Sequence, residues 1–134
     1  MPQQSGRKEK RDARRAVLAA EADRLGLLTL PQLAAEVMAT GFTDVPRYDA
    51  HENAYPHFRQ IISRLAPEDV GELDGDLYSR FAELVREGLQ VLEHASLICG
   101  PISGSHYDYY TPTRLGRAAL ERGAVDHCLG GGSL

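Results

Sequence analysis

The sequence contains no tryptophan and only two cysteines among its 134 residues. Cys99 and Cys128 lack the spacing of a metal site, and we expect two thiols rather than a disulfide. The amino terminus opens with polar residues and passes directly into charged ones, so it lacks the apolar stretch of a secretory signal or a membrane-spanning helix. We therefore expect a soluble, cytoplasmic chain with no membrane contact.

The sequence also lacks the recognisable motifs of catalysis. It has no glycine-rich phosphate loop, no Gly-x-Ser-x-Gly turn and no histidine and cysteine at the spacing of a nucleophile and its base. His51, Glu52 and His57 do not fall on one helix face, as a shared metal would need. The acidic run from Glu68 to Asp76 lacks the alternating order of a calcium loop. We expect no enzyme activity, no cofactor and no metal.

Charge is the most distinctive feature of the composition. Hydrophobic residues make up 43% of the chain and charged residues 25%, which is typical of a globular domain. The net charge is −4, yet six basic and only two acidic residues lie between Arg7 and Arg15. Such a basic arm can follow phosphates, although an acidic body weakens nonspecific DNA binding. The alternative is a solvated helix end with pairs such as Lys8 and Asp12.

Apolar periodicity predicts four helices before residue 96, at about 7–25, 29–41, 53–65 and 77–95. The connection at 42–52 is long for two packed helices. We expect one domain over residues 7–123, with a disordered lead-in at 1–6 and a flexible tail at 124–134.

The helices differ in how strongly they are specified. The first has a thin predicted core stripe, which consists of Ala13, Val17, Ala20 and Leu25. Its first two turns should therefore project into solvent. The fourth has a strong stripe of Leu77, Phe81, Leu84, Val85, Leu92 and Ala95. Gly88 interrupts it, where it either allows close helix packing or marks a break.

Several residue types favour particular helix ends. Thr29 and Gln32 form the pattern of a capping box at the start of the second helix. Gly41 is expected to end that helix in a left-handed conformation. Asn53 and Thr111 are the predicted N-caps of the third and the last helix.

The pattern changes to β structure after residue 95. Leu97–Cys99 and Tyr107–Thr111 read as short strands around the turn-forming Ser103–Ser105, which predicts a β-hairpin. Pro101 cannot donate to a ladder, so the first strand must be an edge strand or end there. A closing helix should follow and stop near Gly123.

The run from Leu89 to Leu120 resembles the wing and closing helix of winged helix-turn-helix regulators of the MarR-like and PadR-like kinds. The residues that carry this pattern are Tyr110, Thr113, Gly116, Arg117 and Leu120. The resemblance implies a mainly α fold with a small β-hairpin. It also implies a DNA-binding transcriptional regulator, and a homodimer because such domains commonly read two half-sites.

The resemblance places the DNA-reading helix directly before the wing, where Arg80 and Arg86 are the basic residues and the wing tip adds His106. An alternative alignment makes the third helix the reader, through Arg59, Gln60, Ser63 and Arg64. Arginine and glutamine can pair with guanine and adenine edges.

A competing hypothesis is a winged-helix adaptor that binds a protein partner, because the body is acidic and the wing lacks arginine and lysine. The candidate contacts with double-stranded DNA are Arg7, Lys8, Lys10, Arg11, Arg14, Arg15, Arg59, Gln60, Arg64, Arg80, Arg86 and His106.

Overall fold

A computed structural model describes residues 2–42, 56–67, 70, 75–103 and 108–130. This part of the chain is mostly helical and has one two-stranded antiparallel sheet, an architecture compatible with a winged helix. Its elements are α1 (Pro2–Gly26), α2 (Leu30–Gly41), α3 (Phe58–Leu65), α4 (Gly75–His94), β1 (Ile98–Ser103), β2 (Asp108–Pro112), α5 (Arg114–Arg122) and α6 (Val125–Cys128). None of the helices described is long and apolar enough to cross a membrane.

The core forms around the crossing of α2 and α4, which contact each other more extensively than any other two described helices. A Cβ added at Gly88 would lie 2.6 Å from Cγ2 of Val37. Gly88 therefore allows close packing rather than a break, and α4 is continuous. Large side chains with essentially no exposure fill the core: Leu18, Leu25, Val37, Met38, Phe42, Ile61, Ile62, Phe81, Val85, Leu92 and Leu97.

Helix α1 begins at Pro2, before the predicted start at Arg7, and proline is tolerated in a first turn. Residues 2–6, predicted as a lead-in, are thus helical. The predicted core stripe is correct at Leu25 and wrong at Ala13, Val17 and Ala20, since α1 buries Leu18, Ala22 and Leu25 and leaves the other three exposed. Spacings of four and three place these buried residues on one face, which carries both leucines into the core.

The capping box at the start of α2 is confirmed. The backbone amide of Gln32 donates to the Thr29 hydroxyl, and the backbone amide of Thr29 donates to Oε1 of the Gln32 side chain. Gly41 does not adopt a left-handed conformation; it is the last residue of α2, and Phe42 caps the helix. A Cβ at Gly41 would lie 2.9 Å from Cγ2 of Ile61, so this glycine permits the close approach of α3.

Helix α3 begins later than predicted. His57, not Asn53, is its N-cap, and His57 Nδ1 accepts a hydrogen bond from the backbone amide of Gln60 at 3.2 Å. The helix ends at Leu65, before Pro67, as predicted. Asn53 itself and the predicted connection at 42–52 beyond Phe42 lie outside the described residues.

The predicted hairpin is confirmed. Its register pairs Ile98 with Pro112 and Ile102 with Tyr109, with a shift between Cys99 and Ile102 that accommodates Pro101 in an edge strand. An isolated antiparallel bridge joins His57 to Tyr109, and the Tyr110 amide donates to the Pro56 carbonyl at 2.9 Å. The hairpin is therefore fastened to the start of α3.

The N-cap of α5 is Thr113, not the predicted Thr111, which lies in β2. The Thr113 hydroxyl accepts from the Gly116 amide and donates to the Ser96 carbonyl, a long-range partner that Thr111 lacks. Gly123 ends the helix in the left-handed conformation, as expected.

The segment after Gly123 is not all tail, because α6 occupies Val125–Cys128 and packs against α2 and α5. Val125 is buried, which explains why this short helix docks. Cys128 and Cys99 are both free and exposed.

Candidate nucleic-acid interface

The amino-terminal half of α1 carries a basic face that leaves the core. From residue 7 to 17 every described side chain is exposed except Arg15, which is half buried. Eleven helical residues span about 16 Å. The prediction that the first turns project into solvent is therefore confirmed.

The basic face of α1 continues the buried stripe of the same helix. Arg14 and Arg11 precede the buried Leu18 by four and seven residues, and Arg7 precedes Arg11 by four, so all of them lie on one side. The remaining members of this side are Lys8, three residues before Arg11, and Arg15, seven residues after Lys8. Because Leu18 points into the body, the arm turns its cations towards the side on which the body lies.

Ion pairs within α1 do not cover this basic face. The pair between Lys8 and Asp12 is not formed, and Asp12 instead lies 3.9 Å from Arg15. Within the described part of the chain, Arg7, Lys8, Lys10 and Arg11 pair with no carboxylate, and all four are exposed. These cations are available to a ligand.

The carboxyl-terminal half of α1 is fixed to the body by two ionic contacts. Arg24 donates to Glu36 of α2 at 3.1 Å, and its hydrogen bonds to the carboxylates of Glu21 and Glu36 raise the pKa of its guanidinium further. Arg80 of α4 donates to Asp23 at 2.6 Å. The arm is therefore the extension of an anchored helix.

Helix α3 presents a second surface, which we call the α3 face: Arg59, Gln60, Ser63 and Arg64. These side chains lie opposite the buried Ile61, Ile62 and Leu65, as the periodicity predicts. Gln60 is half buried and the other three are exposed. No acidic residue occurs in this helix.

The two arginines of the α3 face differ in their anchoring. Arg64 donates to the Gly41 carbonyl at 2.8 Å, so its guanidinium is held at the junction with α2. Arg59 forms no ion pair within the described residues. Burial, followed by the charges of Arg59 and Arg64, lowers the pKa of His57. The positive potential of this face thus acts on its own N-cap.

Helix α4, directly before the hairpin, has the opposite character. Its exposed carboxylates are Asp76, Glu83, Glu87 and Glu93. Its two arginines lie on the flanks, where Arg80 bridges to α1 and Arg86 lies over the ring of Phe58 in α3 at 5.2 Å. The exposed ridge between the flanks is therefore acidic and polar.

The described residues of the hairpin include no arginine or lysine. His106 lies outside the described residues. A shallow groove of about 290 Å³ between α4 and the hairpin is lined by Arg86, Leu89, Gln90, Glu93, Pro101 and Tyr110. With one guanidinium and one carboxylate at its walls, the groove has no excess of either charge.

The sequence located the basic residues but not their partners. Arg80 and Asp23 are 57 positions apart, and Arg64 and Gly41 are 23 apart, so no local pattern signals either contact. Across the described ranges, no group of three or more histidine, cysteine or acidic side chains could hold a metal ion.

Comparisons with known proteins do not assign the chain to a family. No protein-family model, curated protein or solved structure matches it. The arrangement of its own residues carries the functional proposal.

Proposed function

We propose that this chain is a winged-helix protein that binds double-stranded DNA, as a transcriptional regulator does, and that the basic face of α1 contacts the phosphates. The observation that carries the proposal is the set of exposed cations without ion pairs on this face, Arg7, Lys8 and Arg11, on an anchored helix. Lysine and arginine in such a row neutralise successive phosphates and release counterions.

Three features support the winged-helix part of this proposal. The hairpin follows α4 and is fastened to α3 through Tyr110 and Pro56. Thr113 caps the closing helix and also reaches back to the end of α4 through Ser96. Gly116 lies against the Leu97 carbonyl, where a side chain has no room. Thr113 and Gly116, two of the residues that resemble MarR-like and PadR-like proteins, thus hold α5 against the junction between α4 and the hairpin.

The test is binding of a fluorescent random-sequence duplex, followed by anisotropy at about 50 mM salt, where phosphate contacts are strong. Arg7→Gln/Arg11→Gln should weaken binding roughly tenfold. Arg114→Gln/Arg122→Gln removes the same charge from exposed positions of α5 and is the matched control. Equal affinities for the two double variants, or no binding by the wild-type protein, would overturn the proposal.

The second candidate function is an adaptor that binds a basic protein partner. The acidic ridge of α4, with Glu83 and Glu87 at its centre, favours it because it would repel phosphates. A stoichiometric protein complex that is lost in Glu83→Gln/Glu87→Gln, together with absence of DNA binding, would favour the adaptor.

A further inference from the structure

Either α3 or α4 could be the helix that reads DNA, and the exposed residues of the two helices distinguish them. The α3 face holds two arginines, a glutamine and a serine with no carboxylate on the helix. The exposed positions of α4 hold four carboxylates against two arginines. A helix that enters a groove passes between two rows of phosphates, so carboxylates on its outer face oppose entry.

Both arginines of α4 also contact residues of other helices. Arg80 forms its ion pair with Asp23, and Arg86 lies over Phe58. Turning either one towards a base would break a contact that positions α4. Arg59 is exposed and forms no ion pair with another helix among the described residues.

We propose that α3, and not the helix before the hairpin, supplies the base-contacting side chains, with Arg59 and Gln60 as the specificity-determining residues. This inference rests on the proposed DNA binding. Arginine pairs with the O6 and N7 atoms of guanine, and glutamine with the N6 and N7 atoms of adenine. Both residues lie in the first turn of α3, and amino-terminal residues of a reading helix are those that reach base edges.

The packing around α3 fits this role. Helix α2 packs directly on α3, and Gly41 allows the close approach. The hydrogen bond from Arg64 to the Gly41 carbonyl fixes the end of α2 beside the α3 face. Arg86, held over Phe58, adds a third guanidinium next to the start of α3. Arg59 and Gln60 therefore have a positively charged border that attracts the phosphates on either side of a base contact.

The experiment is selection of bound sequences from a random duplex library by the full chain and its variants. Gln60→Ala in α3 and Gln90→Ala in α4 are a matched pair, because the same side chain is removed from each competing helix. Arg59→Ala is matched by Arg122→Ala on the exposed surface of α5. Circular dichroism verifies that each variant is folded.

We expect the wild-type protein to enrich a motif, and Gln60→Ala and Arg59→Ala each to lose roughly tenfold preference at one base position. Gln90→Ala and Arg122→Ala should enrich the wild-type motif. Enrichment of no motif, or a motif altered by Gln90→Ala and unaltered by Gln60→Ala and Arg59→Ala, would overturn the inference. In both cases binding to the random duplex persists, whereas its complete absence would overturn the proposed function as well.

Discussion

The guanidinium carbon of Arg86 lies 5.2 Å from the centroid of the Phe58 ring, and this contact joins α4 to α3. On the opposite flank of α4, Arg80 forms an ion pair with Asp23 of α1. The cations of α4 thus hold helices together. The exposed outer ridge of α4 is left with the carboxylates of Asp76, Glu83 and Glu87.

The contact between Arg86 and Phe58 should contribute measurably to stability. Arg86→Gln is expected to lower the free energy of unfolding by about 0.5–1 kcal/mol, as for an exposed cation over an aromatic ring. Urea unfolding measures the difference. Arg122→Gln, on the surface of α5, should change stability by less than about 0.5 kcal/mol. An equal loss in the two variants would show that the ring contact is not stabilising.

Gly116→Ala should destabilise the protein because its Cβ would overlap the Leu97 carbonyl and crowd the Met38 methyl group at 3.1 Å. Overpacking of this kind costs about 1–3 kcal/mol. Gly26→Ala is the control, since nothing lies within 4 Å of a Cβ there. Thermal unfolding should show a lower midpoint for Gly116→Ala alone, and a tolerated Gly116→Ala would contradict the packing described for α5.

Gly88 and Val37 should be energetically coupled. Gly88→Ala places a Cβ 2.6 Å from Cγ2 of Val37, and Val37→Ala removes that methyl group. Each single variant should be destabilising, and the double variant should be more stable than the sum of the two predicts, by at least about 0.5 kcal/mol. A double-mutant cycle in urea measures this coupling, and strict additivity would argue against the close crossing of α2 and α4.

His57 should make stability depend on pH. Burial and the charges of Arg59 and Arg64 lower its pKa in the folded state, so the folded protein binds fewer protons than the unfolded chain. The stability that neutral His57 contributes is therefore fully present above the pKa of histidine in the unfolded chain, about 6.5. It is lost as the pH falls through the lowered pKa of the folded state. Protonation also removes the Nδ1 acceptor that caps α3.

His57→Asn tests this prediction, because asparagine is a favourable N-cap that does not titrate. Relative to the wild-type protein, His57→Asn should gain stability as the pH is lowered from 7.5 to 5, which spans the titration of histidine, roughly 6.5 in its unperturbed state. Chemical unfolding at several pH values gives the comparison. Parallel pH profiles for the two proteins would mean that His57 does not titrate as described.

The sequence predicted the parts of the fold that local signals specify. The capping box of Thr29 and Gln32 and the hairpin after residue 95 depend on neighbouring residues alone. Choices that distant contacts decide were predicted wrongly. Thr111 and Thr113 are equivalent as N-caps by residue type, and the Ser96 carbonyl selects Thr113. In α1, the few apolar residues do not determine which side of the helix is buried, and only packing against the other helices shows that Leu18 lies in the core.

The same division holds for the candidate site. Helical periodicity correctly placed Arg59 and Ser63 on an exposed face of α3. It could not show that Arg80 and Arg86 are held by Asp23 and Phe58, because those contacts exist only after the helices pack. Tertiary contacts therefore changed the balance between the two candidate reading helices.

The salt dependence of binding to duplex DNA tests the central claim most directly. Three phosphate contacts by Arg7, Lys8 and Arg11 predict a slope of log affinity against log salt of roughly −2.7 or steeper. Arg7→Gln/Arg11→Gln should make the slope shallower by about 1.8, while Arg114→Gln/Arg122→Gln should leave it unchanged. A slope near zero for the wild-type protein, or the same slope in all three proteins, would contradict the account.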